Sequence, residues 1–252
     1  MNRERLSALA HTSHPVAAPV CDAGVGEVLD RIAAHSPRSV LDLGCGSGEW
    51  LVRLLQRLPV TAGVGVDVST TALAEAAARA EAGGVTDRLT LHEGAAADLP
   101  PAEHDAVLCI GSTHALGGLC GTLDAMHRWA ASDAIAVVGD GFWERTPDAA
   151  TLDALDCTED EFPSYAGLVD RVVASGWTPL HVRTSRLDEW DDYEWAWWSS
   201  LASWAAAHPD DADAADAARW SEQHREEWLR GYRGTLGFAI VTASAVAASS
   251  ER

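Results

Sequence analysis

Three glycines at positions 44, 46 and 48 stand between an apolar run, Val40-Leu41-Asp42-Leu43, and a helical segment opening at Glu49-Trp50. A second apolar run follows and ends in a single acid, Gly65-Val66-Asp67. A strand that turns through glycines into a helix, then a second strand closed by one carboxylate, is the layout of a unit that holds a nucleoside-like ligand. The glycine spacing decides which one. A dinucleotide site reads G-x-G-x-x-G and sets a pyrophosphate on the helix N-terminus. Here the third glycine of that pattern is replaced by Glu49, whose carboxylate suits the helix dipole but repels a pyrophosphate.

Charge narrows the partners. With 38 acidic and 18 basic residues the net charge is −20. Such a field repels phosphate backbones, whose binding rests on Lys and Arg, and anionic membrane surfaces likewise. Neutral or cationic small molecules suit it better. Five cysteines, at 21, 45, 109, 120 and 157, form no CxxC pair and no disulfide framework, and no metal is expected. No stretch reaches membrane-spanning length and the start lacks a continuous apolar leader, so a cytoplasmic protein is expected.

Along the chain, apolar and turn residues alternate in blocks. Strands are expected at 39–43, 62–66, 89–92, 106–110, 135–138, near 180–184 and at 236–242. Helices are expected at 22–34, 49–57, from an N-cap at Ser69 to Gly83-Gly84, at about 119–129 and at 165–174. This predicts a single α/β domain over 1–252. Its centre is a Rossmann-like, seven-stranded, mostly parallel sheet with helices on both faces.

Residues 1–21 form an N-terminal arm, and a helical, tryptophan-rich insertion fills 187–234 before the last strand. Seven of the eleven tryptophans lie between 190 and 228. Trp190, Trp197, Leu201 and Trp204 share one helical face with Tyr193 beside them, which is most economically a packing face. Trp195 lies off that stripe and Trp198 at its edge, both freer to meet something else. Trp220, His224 and Trp228 form a second stripe. Two such helices could make a lid, and a homodimer interface would explain the same pattern.

Residues 40–50 resemble motif I of the class I S-adenosylmethionine-dependent methyltransferases, and Asp67 matches that family's acid after the second strand. The resemblance implies that S-adenosylmethionine is the cofactor. It is held by Asp42, Gly44, Cys45, Gly46 and Gly48, with Asp67 accepting from both ribose hydroxyls and Val68 packing on the adenine. The family's adenine-binding acid after strand three falls at Gly94 or Ala95, so it is missing here, and backbone groups or Asp98 must substitute. The backbone of Cys109 and Ile110 flanks the transferring methyl.

Gly139-Asp140-Gly141-Phe142-Trp143-Glu144-Arg145, the acidic run from Asp188 to Glu194, and an arm carrying His11 and His14-Pro15 resemble a largely uncharacterised bacterial subset of small-molecule methyltransferases. In that setting Trp143, Glu144 and Arg145 point toward the substrate, the first two as catalytic candidates. The alternative is a strand-end turn that anchors the sheet. His14, Tyr193, Trp195 and Trp198 join Arg145 as substrate-binding candidates, and an aromatic wall could hold a cationic amine. His114, on the loop after strand four, is the candidate general base, since an imidazole is the side chain suited to taking a proton near neutral pH. Its alternative is a structural histidine.

Neither the Asn/Asp-Pro-Pro-aromatic motif of DNA-adenine enzymes nor the Pro-Cys of cytosine-C5 enzymes occurs. The expected reaction is in-line transfer of a methyl to a nitrogen or oxygen of a small molecule. The rivals are a catalytically silent cofactor-binding partner protein and another S-adenosylmethionine-using transferase.

Overall fold

The computed structural model describes residues 1–245, apart from the side chains of Arg3 and Glu4, so residues 246–252 of the expected 1–252 domain lie outside it. Seven strands form one sheet: β1 Ser39–Leu43, β2 Ala62–Asp67, β3 Leu89–Glu93, β4 His104–Ile110, β5 Ala130–Trp143, β6 Trp177–Thr184 and β7 Leu236–Ala245. Their order is β3-β2-β1-β4-β5-β7-β6. β1 to β5 run parallel, and β6 pairs antiparallel with β7. Strand order therefore reverses between β1 and β4, so ligand chemistry belongs outside the carboxyl ends of those strands. At the opposite, amino ends of β1 and β4, Asp105 ties the two strands together by accepting from the backbone N–H groups of Arg38 (2.7 Å) and Ser39 (3.0 Å).

The helices are α1 Arg3–Ala10, α2 Asp22–Ala34, α3 Glu49–Arg57, α4 Thr70–Ala82, α5 Gly118–Met126, α6 Ala149–Leu155, α7 Tyr165–Ala174, α8 Leu187–Ala207 and α9 Ala214–Glu227. A π-helical turn, Trp228–Tyr232, follows α9. α3 shows why the first unit forms. Trp50, Leu51, Val52, Leu54 and Leu55 are all buried on it, each worth about 1.5–3 kcal/mol when fully removed from water. Gly63 on β2 makes room for two of them: a Cβ there would sit 3.0 Å from the Leu51 and Leu55 methyls. Ser69 caps α4, accepting from Ala72 N–H at 3.1 Å.

β5 runs well beyond the predicted 135–138. Asp133, Gly139, Asp140 and Gly141 break the apolar pattern; the ladder with β4 runs as far as the pair Ile110–Gly139, and β7 flanks β5 on its other side. Trp143 N–H then donates to Pro163 O at 2.7 Å.

The chain packs as two compact units. One holds residues 22–140, 165–184 and the chain from 239 onward, and contains β1 to β4 with their helices. The other holds residues 1–21, 141–164 and 185–238. In this second unit the tryptophan stripe is covered by its own chain. Trp197, Leu201 and Trp204 pack with Leu6, Leu9 and Ala10 of α1 and with Ala217 and Trp220 of α9. The Met1 amino group reaches Asp213 (3.0 Å) and Asp216 (2.6 Å), and Arg5 reaches Asp211 and Asp213. The first stripe is thus an internal packing face rather than an open one.

Candidate functional site

The turn between β1 and α3 owes its shape to glycine. Gly44 has φ +74° and Gly46 φ +51°, both in the left-handed region that L side chains disfavour. The turn is pinned from three sides. Gly44 and Cys45 N–H both donate to Val66 O, at 2.8 and 3.0 Å. Ser112 Oγ, beyond the end of β4, donates to Gly44 O at 3.0 Å. The Arg79 guanidinium donates to Ser47 O and pairs with Glu49 at 2.9 Å. Glu49 also takes Arg53 at 2.6 Å. The carboxylate that excludes a pyrophosphate is therefore used to tie α3 to α4.

Asp67, at the end of β2, closes the cradle. Its Oδ2 accepts from Gly46 N–H at 2.8 Å and its Oδ1 from Ser69 N–H at 2.9 Å. Two lone-pair positions of the carboxylate remain for outside donors. Beside it Val68 is 70% exposed, a bare apolar surface at a strand end. Gly94 N–H donates to Asp67 O at 2.9 Å, and Ala95 is exposed next to it. A Cβ built on Gly46 meets nothing within 4 Å. The space before that glycine is open although the turn around it is tightly bonded. A carboxylate with spare lone pairs, an exposed apolar residue and an open glycine face fit a ribose, an adenine and an amino-acid tail respectively.

Asp42 is buried one turn behind. Burial, with Asp67 adding to it, pushes its carboxyl up to about 7. In the unfolded chain it titrates near 3.9. Between those values the folded chain holds a proton that the unfolded chain has lost. This group's contribution to stability is therefore full below about pH 4 and falls as pH rises to about 7. Asp42→Asn is expected to raise the melting temperature at about pH 8 and to leave it nearly unchanged at about pH 4. An equal change at both would contradict the buried, protonated carboxyl. Burial also pushes the Cys45 and Cys109 thiols up, with Asp42 adding to both, so neither is a thiolate nucleophile.

His114 lies on a single exposed turn, Thr113–Leu116, after β4. Thr113 Oγ1 donates to Asp140 at 3.0 Å and holds that turn against the end of β5.

The other expected substrate residues belong to the second unit. Trp143 is buried, donates its Nε1–H to Glu159 O at 2.8 Å and meets Phe162 edge-on at 5.3 Å. Its polar edge is therefore committed. Glu144 and Arg145 are exposed and line a cavity of about 200 Å³ with Ser185 and Trp190. Tyr193 lies under the N-terminal arm, with its hydroxyl 3.1 Å from His11 Nε2 and the His14 ring edge-on at 5.4 Å. Trp195 is 53% exposed.

Trp198, expected to be free at the stripe's edge, is instead only 4% exposed and packs on Trp195 with ring centroids 4.4 Å apart. The reason is that α8 is packed on two sides, by α1 and by α9, so its buried face is wider than one stripe. Sequence reasoning passed over Arg79 and Ser112, because each reaches the turn from a distant element. It also passed over buried Glu194, which takes Tyr232 Oη at 2.9 Å and lies 2.5 Å from His224 Nε2.

The fold, with its cradle at the ends of the first two strands, is similar to that of solved S-adenosylmethionine-dependent methyltransferases. Residues 40–133 match the family described as Methyltransferase domain. The chain is similar to the uncharacterized protein YjhP of Escherichia coli (strain K12). The two are 29% identical over 221 residues, 86% of this chain and 88% of YjhP. A crystal structure of an S-adenosylmethionine-dependent methyltransferase from Geobacter sulfurreducens, in complex with S-adenosyl-L-homocysteine, matches with TM-score 0.88 and 25% identity. It covers 95% of this chain and 97% of its own. A second such complex, from Thiobacillus denitrificans, has the same TM-score and identity and covers 97% and 100%.

Proposed function

We propose that the protein transfers the methyl of S-adenosylmethionine to a nitrogen or oxygen of a small-molecule acceptor. The carrying observation is the cradle of Gly46 and Asp67, tightly bonded behind and open in front. In this reading Asp67 holds both ribose hydroxyls, Val68 covers the adenine, and the backbone at Gly94 and Ala95 replaces the missing adenine acid. Asp42, Gly44, Cys45 and Gly48 shape the turn, and Cys109 and Ile110 edge the reacting carbon.

The bound cofactor supplies a methyl on a positively charged sulfur, so its departure needs no acid. The chain's task is to align the acceptor, exclude water and take a proton. Alignment is worth about 7–11 kcal/mol and a base about 10²–10⁴-fold in rate. His114 is the proposed base. Glu144 and Arg145 address the acceptor with His14, Tyr193 and Trp195, Trp198 backs Trp195 from behind, and Trp143 braces the turn that carries Glu144. Segment 187–234 carries acceptor recognition. The acidic surface supports a small, non-nucleic-acid substrate in the cytoplasm.

The test is incubation with methyl-labelled S-adenosylmethionine and a fractionated metabolite extract. S-Adenosylhomocysteine should form in step with one labelled small product. Binding without transfer would make the chain a silent partner protein, and a product retaining the sulfur's other substituents would assign a different transferase. For His114→Ala, kcat is expected to fall about 10²–10⁴-fold with loss of the rise in rate through the histidine range. An unchanged pH–rate profile removes His114 as base.

A further inference from the structure

The cavity beside Glu144 and Arg145 carries features that the methyl-transfer reading does not use. It is a half-open cavity whose lining lies within the second unit, and Ser185, Leu187, Trp190 and Leu236 also line it. Two of these bury a polar atom that no protein group satisfies: Ser185 Oγ and Trp190 Nε1. Ser185 is 8% exposed and Trp190 7%. Leaving such an atom unpaired costs about 1–3 kcal/mol, and buried indoles elsewhere in this chain do not do so. Those of Trp129, Trp143, Trp177 and Trp228 donate to Pro100 O, Glu159 O, Leu123 O and Asp191 respectively. Trp190 cannot easily swing to find a partner, because Trp228 stacks on it at 5.5 Å and Tyr232 meets it edge-on at 6.5 Å.

The charges on the cavity are equally unspent. Arg5, Arg53, Arg79 and Arg233 all reach carboxylates. Among the described residues neither the Arg145 guanidinium nor the Glu144 carboxylate has an ion-pair partner, and the two do not pair with each other. Three donors (Arg145, Ser185 and Trp190) suit an oxyanion. One carboxylate, Glu144, suits an ammonium. At about 200 Å³ the cavity is below the usual 300–1,000 Å³ of drug-sized sites. Leu187 and Leu236 give it an apolar wall.

We propose that this cavity binds a small zwitterion of amino-acid size, with its carboxylate on Arg145, Ser185 and Trp190 and its protonated amine on Glu144. That the bound zwitterion is also the methyl acceptor rests on the proposed function, whereas binding itself is read without cofactor.

The experiment is calorimetric titration of the full chain with the proteinogenic amino acids and 4-aminobutyrate, each beside its parent amine and parent carboxylic acid. At least one zwitterion is expected to bind at millimolar concentration, with its amine and acid at least about tenfold weaker. Trp190→Phe and Ser185→Ala should each weaken it about 3–10-fold. Arg145→Met, at an exposed position that leaves folding intact, should weaken it about tenfold or more. No saturable binding up to about 10 mM, equal binding of the singly charged parents, or unchanged affinity in Arg145→Met and Trp190→Phe overturns the proposal. Binding without methylation of the bound compound keeps the site and removes only its role as acceptor.

Discussion

Asp67→Ala is expected to weaken S-adenosylmethionine binding by about 10²–10⁴-fold. The carboxylate works in two directions. Inward, it accepts from Gly46 and Ser69 N–H at 2.8 and 2.9 Å and so fixes the turn proposed to face the cofactor. Outward, its remaining lone pairs are proposed to accept from the ribose. Hydrogen bonds to a charged group contribute about 1.5–3 kcal/mol each, so two lost ribose contacts account for that range. Asp67→Asn retains one oxygen acceptor and should fall between wild type and alanine. Calorimetry giving an unchanged Kd for the alanine variant would remove the ribose role.

The second large effect separates folding from binding. A Cβ at Gly44 would sit 2.5 Å from Ser112 Cβ and Oγ, at φ +74°. Gly44→Ala therefore carries both a left-handed backbone cost of about 1–2 kcal/mol and an overpacking cost of about 1–3 kcal/mol. It should lower the melting temperature by several degrees. A Cβ at Gly46 meets no protein atom within 4 Å, and a longer side chain there would enter the space proposed for the cofactor. Gly46→Leu should cost only the backbone term of about 1–2 kcal/mol while abolishing detectable cofactor binding. A Gly46→Leu protein that binds normally would place the cofactor elsewhere.

What the sequence disclosed and what it withheld divide along the range of the interactions involved. The strand–turn–helix at 39–57, Asp67 at a strand end and the Ser69 cap are set by neighbours in the chain, so apolar spacing and glycine positions reveal them. The extension of β5 to Trp143 is invisible locally, because Asp133, Gly139, Asp140 and Gly141 interrupt the pattern; pairing with β4 reaches only Gly139, and β7 on the other side and a bridge from Trp143 to Ser164 accompany the rest. Periodicity finds the stripe of Trp190, Trp197, Leu201 and Trp204. It misses the burial of Trp198, which follows from α1 and α9 packing on two sides of α8.

The clamp on Glu49 is half legible. Arg53 stands four residues on, at helical reach, while Arg79 arrives from another helix. The unsatisfied Trp190 nitrogen is legible in no pattern, since a missing partner is a property of everything packed around it.

Direct titration of the purified full chain with S-adenosylmethionine and with S-adenosylhomocysteine tests the central claim. One-to-one binding heat and a raised melting temperature with either compound are expected, both lost in Gly46→Leu. Neither heat nor a melting shift with either compound would contradict the account at its root.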